Sequence, residues 1–385
     1  MAARRARGLN PVQLSLADKA FRLNWPLALL LCMVAAVGVL MLYSAGGGSM
    51  SPWSSRHLTR FVAALALALA IAMVDMRVWL RLAYPAYAVG LVLLIAVDVV
   101  GQIGMGAQRW LDLGPIQIQP SEIMKIALVL SLARYFHGLT HEEIGRVVYI
   151  LPATAMVLVP AALVMIQPDL GTAVLMIMSS LAIFFAAGVR MWKFAAVFGS
   201  AGLAMPVLWG MLRDYQRNRI LTFLDPERDP LGAGYHVQQS KIALGSGGMF
   251  GKGFLEGTQS HLNFLPEKHT DFIFTMLAEE MGMVGCLILL GLYALVLLIC
   301  FAAALRCQSM FGRLAAIGVT VTFFLYLFIN VAMVTGLVPV VGIPLPLVSY
   351  GGTSMLTTMI AMGILMSVDI HRDMRLGRHG EASTS

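Results

Sequence analysis

Charge is scarce in this chain. Asp, Glu, Lys and Arg make up 12% of its 385 residues and 59% are hydrophobic, whereas an ordinary soluble domain carries about 25% charged residues. The shortage excludes a soluble globular fold. Cysteine is scarce too: Cys32, Cys286, Cys300 and Cys307 lie in or beside apolar runs without metal-ligand spacing, so they read as small buried hydrophobes. No nucleophile elbow and no metalloprotease HExxH is present. The glycine-rich stretch at 245–248 has no preceding strand and no Gly-Lys-Ser/Thr ending, which argues against a nucleotide P-loop. Its glycines are expected instead to permit tight turns and close backbone approach to a ligand. The formal charge is +7, yet no basic face interleaved with aromatics exists to bind nucleic acid. Repeats of fixed period are missing, as are paired broken helices of the inverted-repeat transporters.

What the chain has is long apolar runs. They approach 20 uninterrupted residues, the length that crosses a hydrocarbon core as a helix; barrel strands would be shorter and alternating. The fold class is an all-α integral membrane protein. Ten transmembrane helices are expected, at about 25–44, 58–75, 80–99, 120–136, 147–165, 170–188, 192–211, 272–304, 311–335 and 351–369. One polytopic domain fills 1–385, with a basic segment at 1–24, a large loop at 212–270 between the seventh and eighth helices, and a tail at 370–385. The first apolar run lacks a small-residue cleavage site and reads as a retained helix. Arg4, Arg5, Arg7, Lys19, Arg22, Arg77, Arg81, Arg134, Arg146, Arg190, Lys193, Arg306, Arg313, Arg372, Arg375 and Arg378 sort to one side. The positive-inside rule makes that side cytoplasmic, together with both termini. The loop at 212–270 is on the other side despite Arg213, Arg217, Arg219, Arg228, Lys241, Lys252 and Lys268, because long loops translocate regardless of charge. A phosphorylated substrate would explain those cations; so would a solvated surface, since nearby acids nearly balance them.

Everything else presents the stretch Leu262 to Phe274. Asp271 stands where the polar loop turns apolar, beside His269 and Lys268, and an ionisable group at a membrane edge is costly unless paired or used. Thr270 or Asp271 would equally serve as the N-cap of the next helix. Glu122 and Lys125, in Gln-Pro-Ser-Glu-Ile-Met-Lys at 119–125, share a helix face and can pair, structurally or within a site. Arg109 lies upstream in Gly-Ala-Gln-Arg-Trp-Leu-Asp-Leu-Gly at 106–114. Asp169, in Gln-Pro-Asp-Leu-Gly-Thr at 167–172, either caps a helix or joins the site. Ser349 opens a hydroxyl-rich turn at 349–354 that suits binding or capping better than proton transfer. One well-placed base with cations nearby suits displacement on an activated, phosphate-linked donor. The base takes a proton from an attacking hydroxyl, and the cations neutralise the departing pyrophosphate.

These motifs, with the segments at 234–248, 264–274 and 346–354, resemble the SEDS family of cell-wall polymerases, and its elongation branch more than its division branch. The matches run in the family's order over most of the chain. The resemblance implies a ten-helix fold in the bacterial cytoplasmic membrane with its active site outside. It implies an inverting glycosyltransferase that polymerises lipid II into undecaprenyl-linked glycan strands for cell elongation and rod shape. It also implies a complex with a class B penicillin-binding protein transpeptidase within the elongation machinery. The family's essential acid falls on Asp271 as the candidate general base, its acidic and basic pair on Glu122 and Lys125, and its loop arginine on Arg109. Arg217, Arg219 and Lys268 are further pyrophosphate candidates, and His269, Asp169 and Ser349 are substrate-binding candidates. No cofactor is certain on this reading; a divalent cation, Mg2+ or Mn2+, would be held partly by substrate phosphates, since no dedicated ligand cluster is present. Two rivals stand. A lipid II flippase would want polar residues through the midplane and on both faces. A non-catalytic scaffold for the transpeptidase would leave the charged loop without work.

Overall fold

Inside a bilayer every backbone polar group must find its partner within the protein, and long apolar runs meet that demand as helices. The computed structural model describes residues 15–104, 107–112, 117–211, 214–225, 233–261 and 268–377. Arg4, Arg5, Arg7, Arg213, Arg228, Arg378 and the 262–267 part of the Asp271 stretch lie outside the described residues.

A short α1 (Leu16–Arg22) precedes α2 (Trp25–Ala45), α3 (Trp53–Ala72) and α4 (Met76–Val100). Three antiparallel strands follow, β1 (Gln102–Gly104), β2 (Ala107–Asp112) and β3 (Gln117–Ile118), in the order β1-β2-β3. This small sheet departs from the all-α expectation; its strands are too short for their period to stand out in sequence. Next come α5 (Pro120–His137), α6 (His141–Ile144), α7 (Val147–Ile166), α8 (Leu170–Ala187), α9 (Met191–Leu203) and α10 (Met205–Met211). The region expected as a loop contains α11 (Asp214–Leu224), α12 (Ala233–Ser246) and α13 (Thr258–His261). The chain continues through α14 (Ile273–Arg306), α15 (Met310–Val334) and α16 (Gly352–Ile370). Among the described residues, α2, α3, α4, α7, α8, α14, α15 and α16 are long and apolar enough to cross a membrane, eight in all. The two other expected spans fall on α5, which carries Glu122, Lys125 and Arg134, and on α9–α10, which is broken at Ala204.

α14 is 34 residues long, about 51 Å at helical rise, against a hydrocarbon core of about 30 Å. It breaks at Gly282 (φ 66°, ψ −163°), which corrects the span expected over 272–304: residues 283–306 already reach about 36 Å. The break frees backbone groups, and the glycine-rich segment answers them. Met283 N and Val284 N donate to the Gly248 and Met249 carbonyls at 2.9 and 3.1 Å, and Lys252 N and Gly253 N donate to the Glu279 and Glu280 carbonyls at 3.0 and 3.1 Å. A Cβ at Gly247 would lie 2.0 Å from the Ala278 carbonyl, and one at Gly251 2.0 Å from that of Glu280. At Gly247 and Gly251 the close approach is to the backbone of α14.

Small residues also set helix packing, as they must where lipid is as apolar as the helices themselves. α16 meets α3 at Gly363, where a Cβ would come within 2.7 Å of the Ala68 carbonyl. α15 packs on α5, α8, α14 and α16. At the end of the bundle away from Asp271, cations meet helix C-termini. Lys19 Nζ donates to Met73 O (2.8 Å), Lys193 Nζ to Gly145 O (3.0 Å) and Arg313 Nη2 to Cys307 O (3.1 Å). Each acceptor is a C-cap residue, of α3, α6 and α14, where carbonyls lack partners and positive charge is favoured.

Candidate active site

α5 begins with Pro120, which needs no amide partner in the first turn, and it places Glu122 and Lys125 inward, each 5% exposed. Lys125 Nζ is 2.6 Å from Glu122 Oε1 and also bonds the Tyr326 hydroxyl. Tyr326 donates to Glu122 at 2.9 Å, and Thr357 Oγ1 donates to its other oxygen at 2.7 Å. The carboxylate is thus held from α5, α15 and α16 together. A cavity of about 30 Å³ opens beside it, lined by Glu122, Lys125, Thr322, Tyr326, Thr357 and Thr358 among others.

Asp271 lies in the turn before α14, half-buried. The N-cap position falls on Phe272, so neither Thr270 nor Asp271 occupies it. Three successive carbonyls of this turn are gripped by three donors. Tyr350 N donates to His269 O at 2.9 Å, Ser349 Oγ to Thr270 O at 2.6 Å, and Asn330 Nδ2 to Asp271 O at 2.9 Å. Ser349 Oγ also accepts from Leu345 N at 2.8 Å. Gly342 (φ +72°) backs the carboxylate: a Cβ there would stand 3.4 Å from Asp271 Oδ2. The His269 ring stacks on Trp53 at 4.3 Å, and Trp53 meets Tyr350 edge-on at 4.9 Å. Arg60 lies over the Tyr350 ring, 5.1 Å from its centroid. Partial burial pushes the Lys268 ammonium below its ordinary pKa.

The remaining candidates form other groups. Asp169 is the N-cap of α8, accepting from Thr172 N at 3.2 Å and Thr172 Oγ1 at 2.9 Å. Arg109, on β2, donates to Gln167 O at 3.1 Å and to Pro168 O. Arg109 therefore reaches across to the turn that carries Asp169. Arg217 donates to Trp209 O and Gly210 O, at 3.1 and 2.6 Å, near the end of α10. Arg219 lines a second cavity of about 20 Å³ with Lys241, Gly336 and Pro339. Among the described residues no group of three or more His, Cys, Asp or Glu could hold a metal ion. Sequence reasoning passed over Tyr326, Asn330 and Thr357. A signal existed: Tyr326 and Asn330 are four apart, hence on one face, inside an otherwise apolar run.

A bundle of long apolar helices with ionisable groups buried among them defines a polytopic membrane protein. Residues 24–374 match the FtsW/RodA/SpoVE family of cell cycle proteins, and the chain belongs to that family. It is 44% identical over 373 residues to the Escherichia coli peptidoglycan glycosyltransferase MrdB, covering 95% of this chain and 98% of that one. A probable peptidoglycan glycosyltransferase FtsW of Trichlorobacter lovleyi is 36% identical, covering 92% and 96%. A chain in the solved structure of a peptidoglycan synthase complex, described for its coordination of polymerization and crosslinking, superposes with TM-score 0.78 at 34% identity over 91% of this chain and 98% of that one. The crystal structure of the Thermus thermophilus rod shape determining protein RodA gives TM-score 0.68 at 31% identity, over 91% and 97%.

Proposed function

We propose that this chain is a peptidoglycan glycosyltransferase that polymerises lipid II, with Asp271 as general base. The GlcNAc 4-hydroxyl of the acceptor attacks the anomeric carbon of the α-linked donor while Asp271 takes its proton. The bond from that carbon to the pyrophosphate oxygen breaks, undecaprenyl pyrophosphate leaves, and a β-1,4 linkage results. Glu122 and Lys125 are the candidates to tune the field at the base, linked to it through Tyr326 and Asn330 of α15. Arg219 and Lys268 are candidates to neutralise the leaving group; Arg217 and Arg109 are engaged by carbonyls, which gives them an ordering role in the surrounding loops.

The observation that carries this reading is the grip on the Asp271 turn. A residue that merely tolerated solvent would not need three donors on three consecutive carbonyls, from Tyr350, Ser349 and Asn330; preorganised catalytic groups do. A flippase fits less well. Beyond Lys125 the inner face of α5 is Leu128, Leu132 and Phe136, each at most 1% exposed, an apolar seal rather than a polar path.

Eight long apolar helices, α5 and α9–α10 together give ten crossings, an even number, with the basic end cytoplasmic and Asp271 outside. A thiol from Gly257→Cys should then be labelled by an impermeant reagent on intact cells, and one from Arg306→Cys should not; labelling of both sinks this topology. By analogy with the synthase complex, a class B penicillin-binding protein is the expected partner.

The decisive assay is purified protein with labelled lipid II and polymer read on a gel. Asp271→Asn keeps size but cannot take a proton, so turnover should fall by roughly 10²–10⁴ with lipid II binding retained. Asp271→Glu, which shifts the carboxylate by one methylene, should also be impaired. Normal polymer from Asp271→Asn would remove Asp271 from the mechanism.

A further inference from the structure

We propose that Asn330 is a positioning residue for Asp271, holding the base in register with the Glu122–Lys125 pair; this rests on the reading of Asp271 as the base. Asn330 is 0% exposed, and burying an amide among apolar helices is costly unless its hydrogens are used. Both are used. Nδ2 donates to Asp271 O at 2.9 Å and to Ile343 O at 2.7 Å. Both partners are carbonyl oxygens, so only the NH2 group can face them, and the amide orientation is dictated.

The two acceptors matter because of what they flank. One belongs to Asp271 itself. The other follows Gly342, the residue that backs the Asp271 carboxylate. Asn330 therefore ties together the backbone that carries the carboxylate and the loop against which it rests. An Asp side chain has only two torsions, the first confined to staggered wells, so holding its backbone and the wall beside it restricts where the carboxylate can stand.

α15 extends the tie. Tyr326 lies one turn before Asn330 on the same face, about 6 Å along the axis, and its hydroxyl contacts both Glu122 and Lys125. One helix thus carries, four residues apart, the contact to the ion pair and the contact to the backbone of the base. Tyr350 and Ser349 hold His269 and Thr270 from the loop before α16; Asn330 reaches the Asp271 backbone from the helix that grips the pair.

The test is kinetic and uses the full-length protein with labelled lipid II. Asn330→Ala should lower kcat by roughly 10²-fold, the scale of a misplacement of about 1 Å, with KM for lipid II little changed. In the Asp271→Asn background the same substitution should lower the residual rate no further, because a residue acting only through Asp271 has nothing left to position. A purely architectural role predicts a similar extra loss in both backgrounds, and that result, like an unchanged kcat, overturns the proposal. Should Asn330→Ala fail to fold, Asn330→Asp, which keeps the volume and loses the amide donors, carries the same two comparisons. If neither folds, Asn330 is structural and the proposal falls. Full activity of Asp271→Asn alone would instead dismiss the base, and with it this role, so the two failures are told apart by which single variant stays active.

Discussion

Among the described residues two carboxylate–lysine pairs have a buried carboxylate, and they are built from nearly the same parts. Glu122 pairs with Lys125 at 2.6 Å and receives the Tyr326 and Thr357 hydroxyls. Glu279 pairs with Lys252 at 2.7 Å and receives the Thr258 hydroxyl at 3.1 Å and Gln259 N at 2.8 Å. Their surroundings differ. The first is enclosed by three helices, with a lysine side chain 5% exposed and a cavity beside it. The second lies under the glycine-rich strap, with the carboxylate at 0% and the lysine at 26%. A pair wedged between helices depends on both partners, because nothing else can move in to replace one. A pair under a strap has a solvent-side partner and backbone donors in reserve, and its work is to pin the strap to α14.

Lys125→Met tests the first half of that contrast and should have the largest effect. It leaves Glu122 buried without its cation, at a cost of about 3–5 kcal/mol, and polymerisation should fall to background while the protein still inserts. The swap Glu122→Lys with Lys125→Glu restores opposite charges but reverses them against Tyr326 and Thr357. Activity in the swapped protein would make the pair structural; continued inactivity favours a role in the site. Thermal unfolding in detergent and the lipid II gel assay read the two parts separately.

The first pair was legible because its members are three residues apart on one predicted helix. The second was not, because Lys252 and Glu279 are 27 residues apart and are joined only by the strap's return over α14. Helix positions were legible for a similar reason: the run expected at 147–165 is observed at Val147–Ile166, since a continuous apolar stretch in lipid has one regular solution. The break at Gly282 left no mark, because glycine is common inside membrane helices. Asp271 was singled out by its place at a polarity boundary, but the donors that hold its turn come from α15 and from the loop before α16, about 60 to 80 residues away. Long-range hydrogen bonds to backbone carbonyls carry no residue-type signature. Asn330 offered the one exception, a buried amide in an apolar run.

Gly251→Ala should come next in size. Its Cβ would lie 2.0 Å from a backbone carbonyl of α14, at φ +79°, so the strap must shift as in an overpacked core, at about 1–3 kcal/mol. The strap carries Lys252, so the variant should also lift the lysine from Glu279. Lys252→Met alone should cost less, about 1 kcal/mol, since the lysine is partly solvated and Thr258 and Gln259 remain as donors. Losses at Lys252 equal to those at Lys125 in thermal unfolding would erase the distinction between the two pairs.

The smallest effect is expected six residues earlier in the same glycine run. Gly245 lies in the last turn of α12, exposed, and a Cβ there would meet nothing within 4 Å. Alanine is favoured over glycine in a helix by about 0.8–1 kcal/mol, less near a frayed end, so Gly245→Ala should leave the melting temperature unchanged or raise it slightly, with turnover intact. The contrast with Gly251→Ala separates two explanations of the run. If its glycines serve flexibility, stiffening either position should slow turnover. If they serve close approach to α14, only the position with a carbonyl against its missing side chain should suffer. A Gly245→Ala protein that melts normally but polymerises slowly would show that the strap has to move during the reaction, and the second carboxylate–lysine pair would then be a latch rather than a pin.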